Sequence, residues 1–514
     1  MNQSRAILQL IFCCGAAARG DVIPAALFSD HMVLQSGMSV PVWGSADPGE
    51  RVTIKIDGRS ASTIAGADGK WILRLAKLTP GGPFEMVIAG KNSITVRDVL
   101  IGEVWVGSGQ SNMAFTVSKA KASYAGLVNE AQEIAAATYP QIRMFTGKTA
   151  KTYEPKSEIA GEWLVCSPET VPGFSAVGYL FARELQKELH APVGILTLAF
   201  GASTAESWIR REAMAADPLL KPMLEKFDAL AAFYKEHPGA TMDQAPQAPQ
   251  TINSRPGRPG PLRDPVQDQH QPTVLFNGMI HPVIPYAIRG VLWYQGESIV
   301  GGKAGVALYP HVMEALVKDW RRLWGQGNLP FYAVQLTALD NVSNNPLVRE
   351  GQSAILSLPN TGLAITIDIG DPKDVHPHNK APLGDRLARI ALANAYGRKM
   401  EFSGPRFESM KVAGGEIRVT FSHVEGGLVA KDGPLKWFQI AGADRQFVDA
   451  EARIDGSTVV VASEKVRSPV AVRYAWVNFP GGCNLYNGAG LPAAPFRTDQ
   501  WDALTRIAED FTGK

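Results

Sequence analysis

The spacing of apolar residues changes character twice along this chain. From 22 to 100, apolar and polar positions alternate in short runs broken by Gly, Pro and Asp, as in SVPVWGSADPGERVTIKIDG and KWILRLAKLTPGGPFEMVIAG. Alternation puts every second side chain on one face of a strand, so the pattern predicts a β-sandwich-like domain over 21–100. The same pattern returns in GGEIRVTFSHVEGG, STVVVAS and PVAVRYAWVNFP. It predicts a C-terminal β-rich domain over 401–498, followed by a tail over 499–514.

Between these regions, from 101 to 400, five short runs are apolar without alternation: 103–107, 193–199, 290–294, 330–336 and 362–368. Runs of that length suit strands buried on both faces. Helical spacing lies between or after them. SAVGYLFARELQKELH places Val177, Leu180, Phe181 and Leu185 on one face, YPHVMEALVKDWRRLW does so with Val312, Leu316 and Trp320, and LGDRLARIALANAYG follows the last run. Strands alternating with helices predict an α/β fold, here a parallel five-stranded sheet with helices on both faces. The stretch 235–275, rich in Pro, Gly and Gln, reads as a surface insertion.

Ligands of open parallel sheets bind beyond the carboxyl ends of the strands, so the residues after each run are the ones to read. Four of the five runs end suggestively: GSGQSNM after the first, FGASTAESW after the second, QGES after the third and DIGDPKDVHPHN after the fifth. Together they offer a serine, a glycine-rich backbone, an amide, and an acid followed by a histidine. Those are the parts of a serine hydrolase: nucleophile, oxyanion donors, and a base held by a carboxylate. Ser111 has two readings. With Asn112 it caps a helix that starts near Met113, or, between a strand's end and a helix's start, it is nucleophile and oxyanion donor together. No G-x-S-x-G is present here, which argues against the strained elbow of α/β-hydrolases.

His376 is the candidate base, with Pro377 fixing the backbone beside it; His378, its competitor, is expected in the first turn of the following helix. Asp374 and Asp371 both stand as candidates to orient His376. Gln295 either donates to an oxyanion without altering the local charge or satisfies loop backbone groups. Gly201 is glycine because a turn needs positive φ, or because its N–H must reach the oxyanion.

Composition narrows the partner. A formal charge of +2 over 514 residues, with no block of like charges, argues against a nucleic-acid surface and for a small or neutral ligand. No clustered His, Cys, Asp or Glu spacing suggests a metal, so no metal and no other cofactor is expected. Residues 1–20 read as a signal peptide, with Arg5, an apolar run over 6–18 and small residues for cleavage, so a periplasmic or secreted location is expected. The run is too short to span a bilayer and no later stretch is long enough, so no membrane association is expected after cleavage. Cleavage removes Cys13 and Cys14 and leaves Cys166 and Cys483, which could pair in an oxidising compartment.

GSGQSNM, WYQGES and DPKDVHPHNK, with FSDHMVLQ and PVWGSADPG near the N-terminus and GLVAKDGPLKWFQIAGAD near the C-terminus, resemble the sialate O-acetylesterase family of exported carbohydrate esterases. The resemblance runs from about 25 to 498 and implies an SGNH-type hydrolase core flanked by the two β regions. It implies that Ser111 is the nucleophile, Gly201 the second-block glycine, Gln295 the amide that replaces the usual asparagine, and His376 the base. Asn112, Glu297, Trp208 and Arg210 are the candidates for supporting or substrate contacts, Arg210 for a sialate carboxylate. Three positions depart from the pattern: Lys373 stands where relatives place Asp before the histidine, Gly-Ala-Ser replaces Gly-Gly-Thr, and Ile299 replaces the Asn after QGES. The implied activity is removal of O-acetyl groups from sugars. Acetylated hemicellulose is the alternative substrate, and an inactive secreted glycan-binding protein the alternative of a different class.

Overall fold

The computed structural model describes residues 21–246, 261–299, 303–340, 342 and 344–501. The expected signal peptide, the middle of the 235–275 insertion and the tail beyond 501 lie outside the described residues.

The sheet that carries the site contains β1 (Ser93–Gly109), β2 (Tyr139–Thr146), β3 (Trp163–Cys166), β4 (Val193–Ala199), β5 (Gly290–Tyr294), β6 (Phe331–Val334) and β7 (Thr361–Ala364). Their spatial order is β3-β2-β4-β1-β5-β6-β7. Every neighbouring pair is parallel except β3 with β2. This path of seven strands therefore has six parallel strands and an antiparallel edge, where the sequence predicts five parallel strands. The extra parallel strand is β2, whose Pro140, Gln141 and Arg143 hide it from a hydropathy reading. Arg143 is buried there because the Asp98 carboxylate of β1 accepts from its guanidinium at 2.6 and 3.2 Å.

Five helices matter to the site: α1 (Ser111–Ala114), α2 (Ala176–Leu189), α3 (Lys303–Trp324), α4 (Asn345–Ser353) and α5 (Ala381–Asn394). Alternate side chains of β5 and β6 enter different cores. Val291, Trp293, Phe331 and Ala333 share one with Val312, Leu316 and Trp320 of α3; Leu292, Tyr294, Tyr332 and Val334 share the other with Leu180 and Phe181 of α2 and Leu387 of α5. Both faces are apolar because both are covered by helices. Ser175 caps α2 by accepting from the Gly178 N–H at 3.1 Å, and its hydroxyl donates to the Met113 carbonyl of α1 at 2.7 Å. That bond fastens the one-turn α1 to a long helix.

β1 is longer than its apolar run. Its first half pairs with Gly81–Ala89 and Val33–Gln35 and its second with β4 and β5, so a single strand runs from the N-terminal β region into the central sheet. The N-terminal region adds a three-stranded sheet of Ile23–Pro24, Val40–Ser45 and Lys70–Leu75, and Val42, Ile54, Leu73 and Ile88 lie in one core. Beyond α5 the chain forms two four-stranded antiparallel sheets and a strand pair, Leu428–Ala430 with Leu485–Asn487. Arg349 of α4 fastens this region to the core: its buried guanidinium donates to the carbonyls of Leu336, Thr337, Val477 and Asn478. Cys166 and Cys483 are buried and free, so the pairing open to them is not made.

Candidate active site

Strand register decides which loops meet. Gly109, the last residue of β1, sits between Ala199 of β4 and Tyr294 of β5, so the segments that begin at 110, 200 and 295 leave the sheet side by side. β4 lies on one side of β1 and β5 on the other, which is the topological switch where parallel sheets open a crevice. Gly109 has a φ of +125°, and a Cβ there would stand 2.1 Å from the Tyr294 carbonyl oxygen, so no other residue fits. Ser111 follows as the first residue of α1, with Gln110 in the cap position. Gln110 makes no side-chain cap bond and accepts from the Gly296 N–H instead, at 3.2 Å. Neither Ser111 nor Asn112 caps the helix, and the first N–H groups of α1 lack intrahelical acceptors.

Ser111 Oγ and His376 Nε2 are 2.8 Å apart. His376 comes from the segment between β7 and α5 and is half-buried. Burial is the largest influence on its pKa and, with the nearby Lys380 and His378 side chains, holds it below the ordinary value against the opposing pull of Asp374. Asp374 is the carboxylate beside it. Its Oδ1 accepts the His376 backbone N–H at 2.8 Å and lies 3.8 Å from Nδ1, while Oδ2 faces His378 Nε2 at 3.3 Å. Asp371 accepts the N–H groups of Lys373 and Asp374 and so closes the turn. His378 is not in a helix: α5 begins at Ala381, with Pro382 in its first turn, and His378 Nδ1 bonds to the Gly126 carbonyl.

Gly201 faces the serine, since a Cβ built on it would lie 3.7 Å from Ser111 Cβ. The left-handed residue of this turn is Ala202, at φ +55°, so positive φ is not the reason for glycine at 201. Gln295 is fully buried; its Nε2 donates to the Ser203 carbonyl at 3.1 Å and its Oε1 accepts from the Tyr309 hydroxyl of α3 at 2.9 Å. These bonds fix the amide plane and use one of its two N–H groups. Trp208, a candidate for substrate contact, is fully buried and donates from Nε1 to Ser203 Oγ at 3.0 Å, so it supports the Gly201 turn from behind. Arg210 is paired with Asp319 of α3 at 2.5 Å, which already neutralises the charge a substrate carboxylate would need.

Asn112 and Glu297 do come together, with a residue the sequence reading passed over. Asn112 Nδ2 donates to the Val375 carbonyl at 2.9 Å and to Glu297 Oε1 at 2.5 Å, and its Oδ1 accepts from Lys380 Nζ at 2.5 Å. Lys380 is 1% exposed, with its ammonium 4.8 Å from the centre of the Phe115 ring and 5.3 Å from that of Tyr294. Burial pushes the Lys380 ammonium down to about 7 and raises Glu297 above the usual carboxylate range. One signal was present in the sequence: a lysine just before α5 puts a cation at the helix end that disfavours it. Among the described residues no group of three or more His, Cys, Asp or Glu side chains is placed to hold a metal ion.

A serine bonded to a histidine at the carboxyl edge of a helix-covered parallel sheet defines the chain as an α/β ester hydrolase. Comparison with known proteins agrees. The family model described as carbohydrate esterase, sialic acid-specific acetylesterase matches residues 271–393, which hold Gln295, Glu297, His376 and Lys380. Sialate O-acetylesterase of Mus musculus is 29% identical over 92% of this chain and 93% of its own length, and that of Homo sapiens 26% identical over 92% and 91%. The crystal structure of a carbohydrate acetylesterase from Xanthomonas citri matches with a TM-score of 0.80 and 34% identity, covering 93% of this chain and 100% of that one. The chain belongs to the sialate O-acetylesterase family of carbohydrate esterases.

Proposed function

We propose that the protein hydrolyses O-acetyl esters on carbohydrates through an acetylated Ser111, with acetylated sialic acid, for which its curated relatives are named, as the substrate. The observation that carries the reading is the 2.8 Å contact between Ser111 Oγ and His376 Nε2 at the open end of the sheet. Neutral His376 takes the Oγ proton as Oγ bonds to the acetyl carbon and the carbonyl electron pair moves to its oxygen. The N–H groups of Ser111 and Gly201, with the second N–H of Gln295, hold that oxyanion. Collapse breaks the bond to the sugar oxygen, which takes the proton from His376. Water then repeats the attack with His376 as base, and acetate leaves. Asp374 holds the His376 backbone N–H and, 3.8 Å from Nδ1, stabilises the protonated imidazole by its charge. Because Ser203 and Tyr309 already fix Gln295, its donor needs no reorganisation during the reaction. Residues 1–20 are read as directing export, to where acetylated glycans are met.

The test is hydrolysis of 4-nitrophenyl acetate by wild type and Ser111→Ala, followed by acetate release from O-acetylated sialic acid, acetylated xylan and acetylated xyloglucan. Wild type is expected to act, with sialic acid the best sugar substrate, and Ser111→Ala to stay at background. Equal rates for the two proteins overturn the mechanism. Faster release from xylan or xyloglucan moves the substrate to hemicellulose, and inert wild type that still binds glycan supports the binding protein.

A further inference from the structure

We propose that Lys380 is a positioning residue for the Ser111 and His376 pair, acting through Asn112. The inference rests on the acetyl-transfer reading above. Asn112 is covalently next to Ser111, and its Nδ2 bonds to the carbonyl of Val375, which is covalently next to His376. One side chain therefore ties together the two backbone segments that present the reacting atoms. An amide is nearly symmetric in shape and can face either way, so something must choose. As an ammonium Lys380 has only donors, and Glu297 and the Val375 carbonyl accept; together they force Oδ1 toward the ammonium and Nδ2 toward the acceptors. The flipped amide would meet repulsion at all three contacts.

The arrangement is demanding to keep. Lys380 is buried against the Phe115 and Tyr294 rings and reaches Glu297 only through the amide, so the ammonium lacks a directly touching counter-ion in these bonds. An apolar residue of the same length would avoid the desolvation, and a buried charge held beside the reacting pair points to use rather than packing. The charged and titratable groups facing this corner are Glu297 after β5, Asp374 and His378 of the same segment as His376, Tyr124 against the His376 ring, and Tyr294 beneath Lys380. Within that set, the positive charge of Lys380 opposes protonation of His376.

The deciding variant is Lys380→Met, which keeps length and apolar stem and removes donor and charge. Its kcat is expected to fall at least about tenfold with KM within about twofold of wild type, since loss of alignment acts on the transition state. The acid limb of kcat/KM is expected to move to higher pH. An unchanged kcat overturns the proposal, and so does a loss of kcat with the limb unmoved, which is what a purely structural lysine would give. Where Lys380→Met does not fold, the double variant Lys380→Met/Glu297→Gln leaves no uncompensated buried charge; loss of kcat at constant KM supports the proposal there, and unchanged kcat overturns it. Ser111→Ala is assayed alongside. Activity in Ser111→Ala overturns the acetyl-transfer reading itself, whereas an inactive Ser111→Ala with a wild-type Lys380→Met overturns the positioning role alone.

Discussion

Two polar networks flank Ser111, and they are built from opposite materials. On the side of β5, Gln295 is held by the Ser203 carbonyl and the Tyr309 hydroxyl, all neutral groups. On the side of the His376 segment, Asn112 is held between a buried ammonium and a carboxylate. The neutral network needs only satisfied hydrogen bonds to be stable in the core, and it fixes one amide plane. The charged network works against desolvation of Lys380, and it fixes two backbone segments at once. The lesson is that one side presents a donor to the reaction, while the other sets the distance between the reacting atoms.

Each side can be broken separately. Removing the atom both serve has the largest effect: Ser111→Ala is expected to lower kcat by at least about 10³-fold, with a stability change under about 1 kcal/mol by chemical denaturation. Survival of activity would mean that neither network is organised around the serine. Next comes Gln295→Ala, expected to lower kcat by about 10²–10³-fold and stability by about 1–3 kcal/mol, because the Ser203 carbonyl loses its donor while the Tyr309 hydroxyl keeps only the Gln295 backbone carbonyl. Lost stability with intact kcat would make Gln295 a scaffold only. Tyr309→Phe, which removes the donor to Gln295 Oε1 and leaves the bond to the Ser203 carbonyl, is expected to reduce kcat less than Gln295→Ala and stability by about 1 kcal/mol; equal losses in the two variants would place the effect in the packing of α3. The smallest effect is on pH. His376 must be neutral to act as base, and its pKa lies below the ordinary value, so the acid limb of kcat/KM should fall below about 6.5. A limb at higher pH would contradict the buried setting of His376.

Much of this site was legible because parallel strands bring their carboxyl ends to one edge. All five apolar runs overlap strands of the sheet, and the register of β1 with β4 and β5 then brings the Ser111, Gly201 and Gln295 segments together. β2 was not legible, since Arg143 makes a buried strand look polar until its partner Asp98 is known. Lys380 was missed for a similar reason: it meets Asn112 from 268 residues away, and nothing local marks it as buried. Trp208 and Arg210 are near the site but turn inward as supporting residues. They follow a motif at the sheet edge, but their polar groups turn to Ser203 and Asp319, and periodicity does not reveal which way a loop side chain turns.

The central claim is that Ser111 carries the acetyl group between substrate and water. Acid quenching of the enzyme during the first turnovers with 4-nitrophenyl acetate, followed by peptide mass analysis, tests it most directly. The expected result is an acetyl group on Ser111 in the wild type, appearing with a burst of nitrophenolate, and no adduct in Ser111→Ala. An acetyl group on another residue, with Ser111→Ala still turning over at the wild-type rate, would contradict the account.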